Sequence, residues 1–364
     1  MKKFIFAIAM GCLLVAGTTN SVQSSDPILS TYHVTNIQDE SMMKIAEQFE
    51  VVRKLSNGYE VLVPIDQAQN FLALAPAAKL IEMDYSAPLR KLTMRSQIFS
   101  LTNLLRQYQL HDQIIEKLQT LASNRPELVQ FVEYGKSADG RTLFAVKISD
   151  NVEADEDEPE LMITAATHGD EIITTEVALG LIDKLMAGYG SDQRLTNMIN
   201  SHELYFIPVV NADGFVARAR YDKGVDPNRS YPSPENPNAK STASIAALIN
   251  FFNSRNFVGT LDFHAYGELT MYPWAFTYDS VPQKDKEIFN DLTKKMSAAN
   301  GYTFGPISKV IYVAKGSSAD YYYWAKNTIS VAIEMGSSKA PYPNEIESYI
   351  KEQTESTWVF IENF

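Results

Sequence analysis

Cysteine is almost absent from this sequence of 364 residues, and the only one, Cys12, lies in an apolar segment at the N-terminus. A disulfide framework is therefore excluded, and side-chain packing, with or without a metal ion, must hold the folded protein together. Basic residues are also few: 32 Lys and Arg stand against 44 Asp and Glu, which gives a net charge of −12. Nucleic acids and anionic membranes bind basic surfaces, so neither is an expected partner.

The N-terminal apolar run, residues 4–17, follows two lysines and precedes small polar residues. It is too short to span a membrane and is typical of a secretory signal peptide, residues 1–17, with cleavage after Gly17. Ala9 and Met10 do not match a lipobox before Cys12, so a lipoprotein anchor is not expected. The sequence predicts a secreted or periplasmic protein without stable membrane association.

The 364 residues exceed what a single hydrophobic core usually supports, so two folded parts are expected. Residues 28–86 show the order strand, helix, strand, strand, helix, strand, with a hairpin turn at Asn57 and Gly58. This order is typical of a small ferredoxin-like α+β domain, which we assign with its connector to residues 18–100. The connector clusters Arg90, Lys91 and Arg95, which suits either a surface linker or a site for a processing protease.

From about residue 108, near-continuous apolar runs alternate with longer helical patterns. Apolar strands of this kind are covered by helices on both faces. They predict an α/β domain over residues 101–364, with a mixed central sheet of about eight strands flanked by helices. Such sheets place their functional sites at the carboxyl ends of strands.

Two of these strand ends carry histidine. His168 and Glu171 directly follow the run LMITAAT, and His264 closes the run GTLDFHAY. Two histidines with one carboxylate form a recurrent catalytic zinc set, although an ordinary strand-to-helix turn is the alternative for the first pair. The other three histidines are interpreted as structural or solvent-facing: His33, His111 and His202.

Glu334 ends another apolar strand, in the run SVAIEMG. An ionisable group buried there without partners would be costly, so we expect it to open into a polar cleft.

Six motifs then occur in the order found in one enzyme family: THGDE, VVNADGF, GVDPNRSY, LDFHAYGELTMYPW, VIYVAKGSSADY and VAIEMG. From about residue 108 to residue 364 the chain resembles the zinc carboxypeptidases of the carboxypeptidase A type. Its first domain resembles the activation segment of that family in its predicted order of elements.

The resemblance implies that His168, Glu171 and His264 bind one zinc ion per chain. Asp226, in GVDPNR, matches a carboxylate that orients a zinc-bound histidine. Glu334 matches the general base for the zinc-activated water, which later donates a proton to the leaving amine.

The resemblance also assigns substrate contacts. Asn228 and Arg229 match a clamp for the free C-terminal carboxylate of a peptide or protein, which a planar guanidinium suits well. Tyr312 matches a mobile tyrosine that covers the bound C-terminal residue.

Two further positions follow from the same alignment. Arg220 corresponds to the arginine that stabilises the oxyanion, with Arg218 as the alternative. Ala319 corresponds to the base of the specificity pocket, where a small neutral residue favours an apolar or aromatic C-terminal side chain. Asp320, one residue later, would instead favour Lys or Arg.

The sequence is therefore interpreted as a secreted zinc metallocarboxypeptidase that hydrolyses the C-terminal peptide bond of peptides or proteins. One alternative keeps the metal but changes the substrate: a zinc amidase or endopeptidase acting on cell-wall peptides, which Gly169 and Asp170 between the ligands leave open. Another is a non-catalytic binding module, which predicts loss of the base or of a ligand. Glu334 and the three ligand candidates are all present.

Overall fold

A computed structural model of the protein describes residues 29–46, 48–83 and 108–364. The predicted signal peptide and the basic cluster of the connector lie outside these residues. None of the helices within them is both long enough and apolar enough to cross a membrane.

The first unit is a four-stranded antiparallel sheet with helices, as predicted. The strands lie in the order β2-β3-β1-β4. A Cβ atom on Gly58, in the turn between β2 and β3, would lie 2.0 Å from the carbonyl oxygen of Val34, so only glycine fits there. The elements are β1 (Leu29–Val34), α1 (Asp39–Ala46), β2 (Glu50–Leu55), β3 (Gly58–Pro64), α2 (Ala68–Leu74) and β4 (Lys79–Glu82).

A mixed sheet of eight strands follows and confirms the predicted α/β fold. Its order is β11-β10-β12-β9-β7-β8-β6-β5. Strands β12, β9, β7 and β8 run parallel to one another, so their carboxyl ends meet at one edge. The strands are β5 (Val129–Lys136), β6 (Thr142–Ile148), β7 (Glu160–Thr164), β8 (Glu203–Ile207), β9 (Phe257–His264), β10 (Leu269–Tyr272), β11 (Thr303–Pro306) and β12 (Ile329–Glu334).

Helices flank this sheet, and side chains cap some of them. Asp192 accepts hydrogen bonds from the backbone N–H groups of Arg194 and Leu195 at the start of α5, and Ser317 accepts one from Asp320 at the start of α10. The helices are α3 (His111–Asn124), α4 (Ile172–Gly188), α5 (Gln193–Asn200), α6 (Ala212–Ala217), α7 (Ala243–Asn253), α8 (Gln283–Asn300), α9 (Ile307–Val310), α10 (Ser318–Lys326) and α11 (Ile346–Ile361).

The two sheets share their apolar packing. Val52 and Leu62 of the small domain belong to the main buried cluster of the large domain. In return, Leu269, Met271 and Ile311 of the large domain belong to the cluster that forms the core of the small one. Burying a side chain of this size stabilises the fold by about 1.5–3 kcal/mol, so the small domain is firmly held against the large one.

Candidate active site

Neighbouring parallel strands end together at the candidate site. His264 is the last residue of β9 and Glu334 is the last residue of β12, and the two are direct partners in the strand register. Strand β7 ends at Thr164, and the loop after it carries His168 and Glu171 to the start of α4. The pairing of β7, β9 and β12 thus brings together residues that are far apart in the sequence.

His168, Glu171 and His264 form a buried cluster with their ligand atoms directed at one point. His168 Nδ1 lies 2.8 Å from Glu171 Oε1, and His264 Nδ1 lies 3.1 Å from Glu171 Oε2. The two Nδ1 atoms are 3.2 Å apart. All of these ligand atoms lie within 4.8 Å of one another, so the three predicted ligands could hold one metal ion.

The far side of each imidazole ring contacts a carboxylate. Asp226 Oδ1 lies 3.1 Å from His168 Nε2, and Asp262 Oδ2 lies 3.1 Å from His264 Nε2. These carboxylates favour a proton on each Nε2, which leaves both Nδ1 lone pairs facing the Glu171 carboxylate. Lone pairs and a carboxylate that converge in this way repel one another unless a metal ion, or protons on the Nδ1 atoms, lie between them. The residues therefore fit a zinc ion.

The pKa shifts of the cluster also favour a cation. Burial lowers the pKa of His264, but the carboxylates of Asp262 and Glu171 outweigh it and raise that pKa well above its usual value. Burial raises the pKa of Glu171, but His168 and His264 outweigh it and hold that pKa well below the usual value. The Glu171 carboxylate is therefore ionised, and positive charge is stabilised beside it.

Asp226 both caps a turn and contacts a candidate metal ligand. Its side chain accepts the backbone N–H of Asn228 at 2.9 Å and so caps the 3₁₀ turn Pro227–Arg229. It also contacts His168, as described, and accepts hydrogen bonds from Arg220 Nε and Nη2 at 3.1 and 3.0 Å. The 3₁₀ turn thus fixes the Asp226 carboxylate, and this carboxylate fixes the ring of His168.

Asp262 was not among the predicted site residues. Besides contacting His264, it accepts hydrogen bonds from Ser318 Oγ at 2.6 Å and from Thr164 Oγ1 at 2.8 Å. The sequence did contain a signal, because residues two apart in a strand point to the same face. An aspartate two positions before a candidate ligand, in an otherwise apolar strand, is a candidate partner for it.

Glu334 lines the same cavity as the metal cluster, which agrees with the expected polar cleft. Burial raises the pKa of Glu334 to about 8, and the nearby Glu171 carboxylate adds to the rise. A bound cation would lower this pKa again. A carboxyl group that gains and loses a proton near neutral pH is suited to general acid–base catalysis.

Arg220, rather than Arg218, lies at the metal cluster. Arg220 Nη1 is 3.6 Å from Glu171 Oε1, and the residue lines the cavity. Arg218 directly follows helix α6, and its guanidinium packs over the ring of Phe215 with its central carbon 4.5 Å from the ring centre.

The predicted clamp residues lie together on the wall of the cavity. Arg229 Nη2 donates to the hydroxyl of Tyr312 at 2.6 Å, and Arg229 Nη1 donates to the carbonyl of Asn228 at 2.7 Å. Asn228 Oδ1 accepts the backbone N–H of Ser318 at 2.8 Å, and its Nδ2 lies 3.3 Å from His264 Nε2. A guanidinium and a phenol therefore stand next to the metal ligands.

The remaining wall of this cavity, which has a volume of about 60 Å³, is largely apolar. Ala319 is buried in the apolar cluster to which part of this wall belongs. Asp320 is fully buried, and its two oxygens accept the backbone N–H groups of Ala275 and Phe276 at 2.8 and 2.9 Å. Burial raises the pKa of Asp320 to about 7, and its side chain is engaged by these backbone groups and is not among the residues that line the cavity. The apolar lining residues are Met271, Ile307, Ile311, Ala314 and Ala332.

The small domain also contributes to the cavity, which the sequence did not predict. Strand β2 brings Glu50, Val51 and Val52 to its wall. Glu50 Oε1 accepts hydrogen bonds from Lys339 Nζ at 2.6 Å and from Arg220 Nη1 at 3.1 Å. The partners of Glu50 lie in the other domain, so the residues around Glu50 in the sequence do not indicate these contacts.

Comparison with known proteins agrees with this geometry. The sequence model of a family described as zinc carboxypeptidase matches residues 114–356, about two thirds of the chain. The chain is 27% identical over 285 residues to a zinc carboxypeptidase of Saccharothrix mutabilis subsp. capreolus, covering 65% of the chain and 64% of the relative. It is 26% identical over 265 residues to carboxypeptidase A2 of Rattus norvegicus, covering 63% and 62%. The match thus spans less than two thirds of either relative.

Among solved structures, the chain is similar to carboxypeptidase A from Helicoverpa armigera, with a TM-score of 0.78 and 20% sequence identity. The match covers 93% of this chain and 97% of that one. This likeness shows that the fold is shared.

Proposed function

Because the chain belongs to the zinc carboxypeptidase family, we propose that it is a zinc metallocarboxypeptidase that removes the C-terminal residue of peptides or proteins. One observation carries the proposal: a metal cluster, a carboxyl group and an arginine–tyrosine pair line a single cavity. Each of the three groups suits one part of the reaction.

His168, Glu171 and His264 would hold the zinc ion, and Asp226 and Asp262 orient the two imidazoles. Zinc supplies Lewis-acid chemistry at such a site, polarising a carbonyl group and lowering the pKa of water. The carboxylates behind the rings keep each Nδ1 free for this role.

Glu334 is the proposed general base and acid. Ionised, it accepts a proton from the attacking water, and protonated, it returns that proton to the leaving amine. Its partly buried position supports the role, because a hydrogen bond between the group and a bound substrate is stronger where water is largely excluded. Arg220 is the proposed electrostatic partner, a cation held where negative charge develops on the scissile carbonyl.

Arg229 would bind the free C-terminal carboxylate, with Asn228 beside it and Tyr312 over the bound residue. This clamp distinguishes removal of one terminal residue from cleavage within a chain, and so favours a carboxypeptidase over a cell-wall endopeptidase. The apolar lining favours an apolar or aromatic terminal side chain. The presence of both the base and the ligands argues against a non-catalytic binding module.

The small domain is the proposed inhibitory segment of a secreted precursor. Glu50, Val51 and Val52 occupy space at the cavity wall that a peptide would need. Cleavage at the basic cluster of residues 90–95 would separate this domain from residues 101–364.

A pair of peptides tests the activity. The zinc-loaded protein, before and after limited proteolysis, is incubated with two peptides that end in phenylalanine, one with a free C-terminus and one amidated. We expect release of phenylalanine from the free peptide alone, and loss of this activity with a chelator. Equal cleavage of the amidated peptide, or full activity without zinc, would overturn the proposal.

A further inference from the structure

Lys339 is a buried lysine beside the metal site that has no part in the proposed reaction. Its side chain is only 3% exposed. Nζ donates to Asp170 Oδ2 at 2.8 Å and to Glu50 Oε1 at 2.6 Å. Its backbone carbonyl accepts the N–H of Ile173 at 3.1 Å, which ties it to the first turn of α4. Lys339 is therefore fixed to the loop that carries two metal ligands.

The Glu50 carboxylate is bound by two cations of the large domain, and it comes from the small domain. Its Oε1 accepts from Lys339 and from Arg220 Nη1, and the same Arg220 nitrogen lies 3.6 Å from Glu171 Oε1. One oxygen of the Glu50 carboxylate is thus bound between two cations, Arg220 at the metal cluster and Lys339, which is paired with Asp170 between the two ligands; we call this place the carboxylate seat. Glu50 itself lines the cavity in which the peptide would be bound.

The seat remains when the small domain leaves, because both of its cations are held by other carboxylates. Lys339 keeps Asp170, and Arg220 keeps Asp226. A lysine that loses one of its two carboxylate partners leaves a position where a new anion can pair with it. The large domain therefore keeps a preformed site for a carboxylate group, and the Glu50 side chain is an example of the group that binds there.

We propose that Lys339, together with Arg220, is a specificity determinant that binds an acidic side chain of the substrate just before the scissile bond. This inference rests on the proposed function. Arg229 and Tyr312 would hold the terminal carboxylate, so a peptide that passes from them across the metal cluster reaches the seat with its preceding residues. The substrate class is thus peptides with Glu or Asp upstream of an apolar C-terminal residue.

Long-range attraction would not produce such a preference. The net charge of −12 repels acidic peptides as a whole. A preference for Glu over Gln must therefore come from cations near the bound side chain. Comparing peptides that differ only in Glu or Gln thus tests for such cations.

The test uses peptides that end in phenylalanine and differ only by Glu or Gln at one of the two preceding positions. The zinc-loaded full chain, treated by limited proteolysis, is assayed for kcat/KM and for equilibrium binding of each peptide by fluorescence. Because a charged hydrogen bond is at stake, we expect Glu to be favoured by about tenfold at one position, in kcat/KM and in affinity.

Variants separate this role from a structural one. Lys339→Met should reduce the Glu-to-Gln ratio to about one, and Lys339→Arg should retain the preference because it keeps the cation. Lys184→Met is the matched control, since Lys184 is exposed and pairs with Glu347 at 3.6 Å. It should leave both the ratio and the activity unchanged.

The outcomes distinguish the two proposals. A Glu-to-Gln ratio near one in the unsubstituted protein, in both rate and affinity, overturns the acidic subsite even if both peptides are cleaved. A tenfold affinity ratio without any cleavage supports the subsite and overturns the carboxypeptidase activity. A ratio that persists in Lys339→Met assigns the preference to another group and overturns the role of Lys339.

Discussion

Each histidine of the metal cluster has a carboxylate behind it, and Asp226 is the one that connects the cluster to the rest of the cavity. It contacts His168 and is itself held by Arg220 and by the turn it caps. Burial raises the pKa of Asp226, but Arg220 and His168 hold it well below the usual value, so the group is ionised.

Replacing Asp226 by Asn should weaken zinc binding by about 10- to 100-fold, because the neutral amide orients the imidazole less firmly and lowers its basicity. Competition with a chromogenic chelator measures this affinity. Asp183→Asn, an exposed aspartate paired with Lys117, is the control and should bind zinc like the parent. An unchanged affinity in Asp226→Asn would contradict the orienting role.

Glu334→Gln should abolish most turnover, by about 10²- to 10⁴-fold in kcat, because the amide cannot accept the proton. Zinc content, measured by atomic absorption, should stay at one ion per chain, since the metal ligands are intact. Substantial turnover in this variant would exclude Glu334 as the base.

Zinc affinity should rise with pH across the neutral range. The pKa of His264 is raised well above its usual value, so the metal-free protein keeps a proton there that zinc must displace. The competition is strongest at low pH and ends once the pH exceeds the raised pKa. Calorimetry in buffers of different ionisation enthalpy would detect the released proton, and binding without proton release would contradict this account.

At this scale the sequence analysis identified residues at strand ends, His264 and Glu334, and in the loop that follows a strand, His168 and Glu171, because the carboxyl ends of parallel strands converge. The choice of Arg220 over Arg218 depended on where helix α6 ends, which the local pattern does not determine. Asp262 was missed although its spacing from His264 contained the signal.

At the scale of elements, the loop between β7 and α4 packs directly against helix α6. A Cβ atom on Gly169 would lie 2.0 Å from the carbonyl carbon of Gly214 and 2.3 Å from the nitrogen of Phe215. The position between His168 and Asp170 therefore has room only for glycine, and this close packing explains why Gly169 stands there.

Gly169→Ala should lower the free energy of unfolding by about 3 kcal/mol and weaken zinc binding, because backbone must move to admit the methyl group. Urea denaturation and metal competition measure the two effects. Gly190→Ala is the control: its Cβ meets open space at a φ of +77°, so it should cost about 1 kcal/mol and leave zinc affinity unchanged. Parental stability and affinity in Gly169→Ala would refute the packing argument.

The apolar runs LMITAAT, GTLDFHAY and SVAIEMG coincide with β7, β9 and β12 within a few residues, since burial on both faces leaves a continuous apolar run. Strands β5, β10 and β11 were not located. Strand β5 lies at the sheet edge with only Val129 buried, so it has no apolar run, and β10 and β11 have four residues each, too few to show a period.

At the scale of the whole molecule, the small domain and the large domain meet at the candidate site. The order of elements in the small domain was predictable from its own pattern. Its placement was not, because β2 meets the cavity through Glu50, Val51 and Val52, whose partners lie in distant parts of the chain. The proposed domain boundaries remain predictions.

Limited proteolysis between the domains should raise carboxypeptidase activity by at least about tenfold, because removing β2 frees the cavity wall for a peptide. The comparison is between intact and cleaved zinc-loaded protein. A variant with Arg90, Lys91 and Arg95 replaced by alanine should resist a trypsin-like protease in the connector and stay at the intact level. Equal activity before and after cleavage would show that the small domain does not inhibit.

The pairing of His264 with Glu334 in neighbouring parallel strands has a consequence for heat inactivation. A metal ligand and the proposed base are separated by a hydrogen-bonded ladder rather than by two mobile loops, and Met335 N–H also donates to the carbonyl of His264 at 2.8 Å. Warming cannot move the two groups apart gradually while those strands stay paired. The distance between His264 and Glu334 is thus expected to persist on heating until the sheet itself opens.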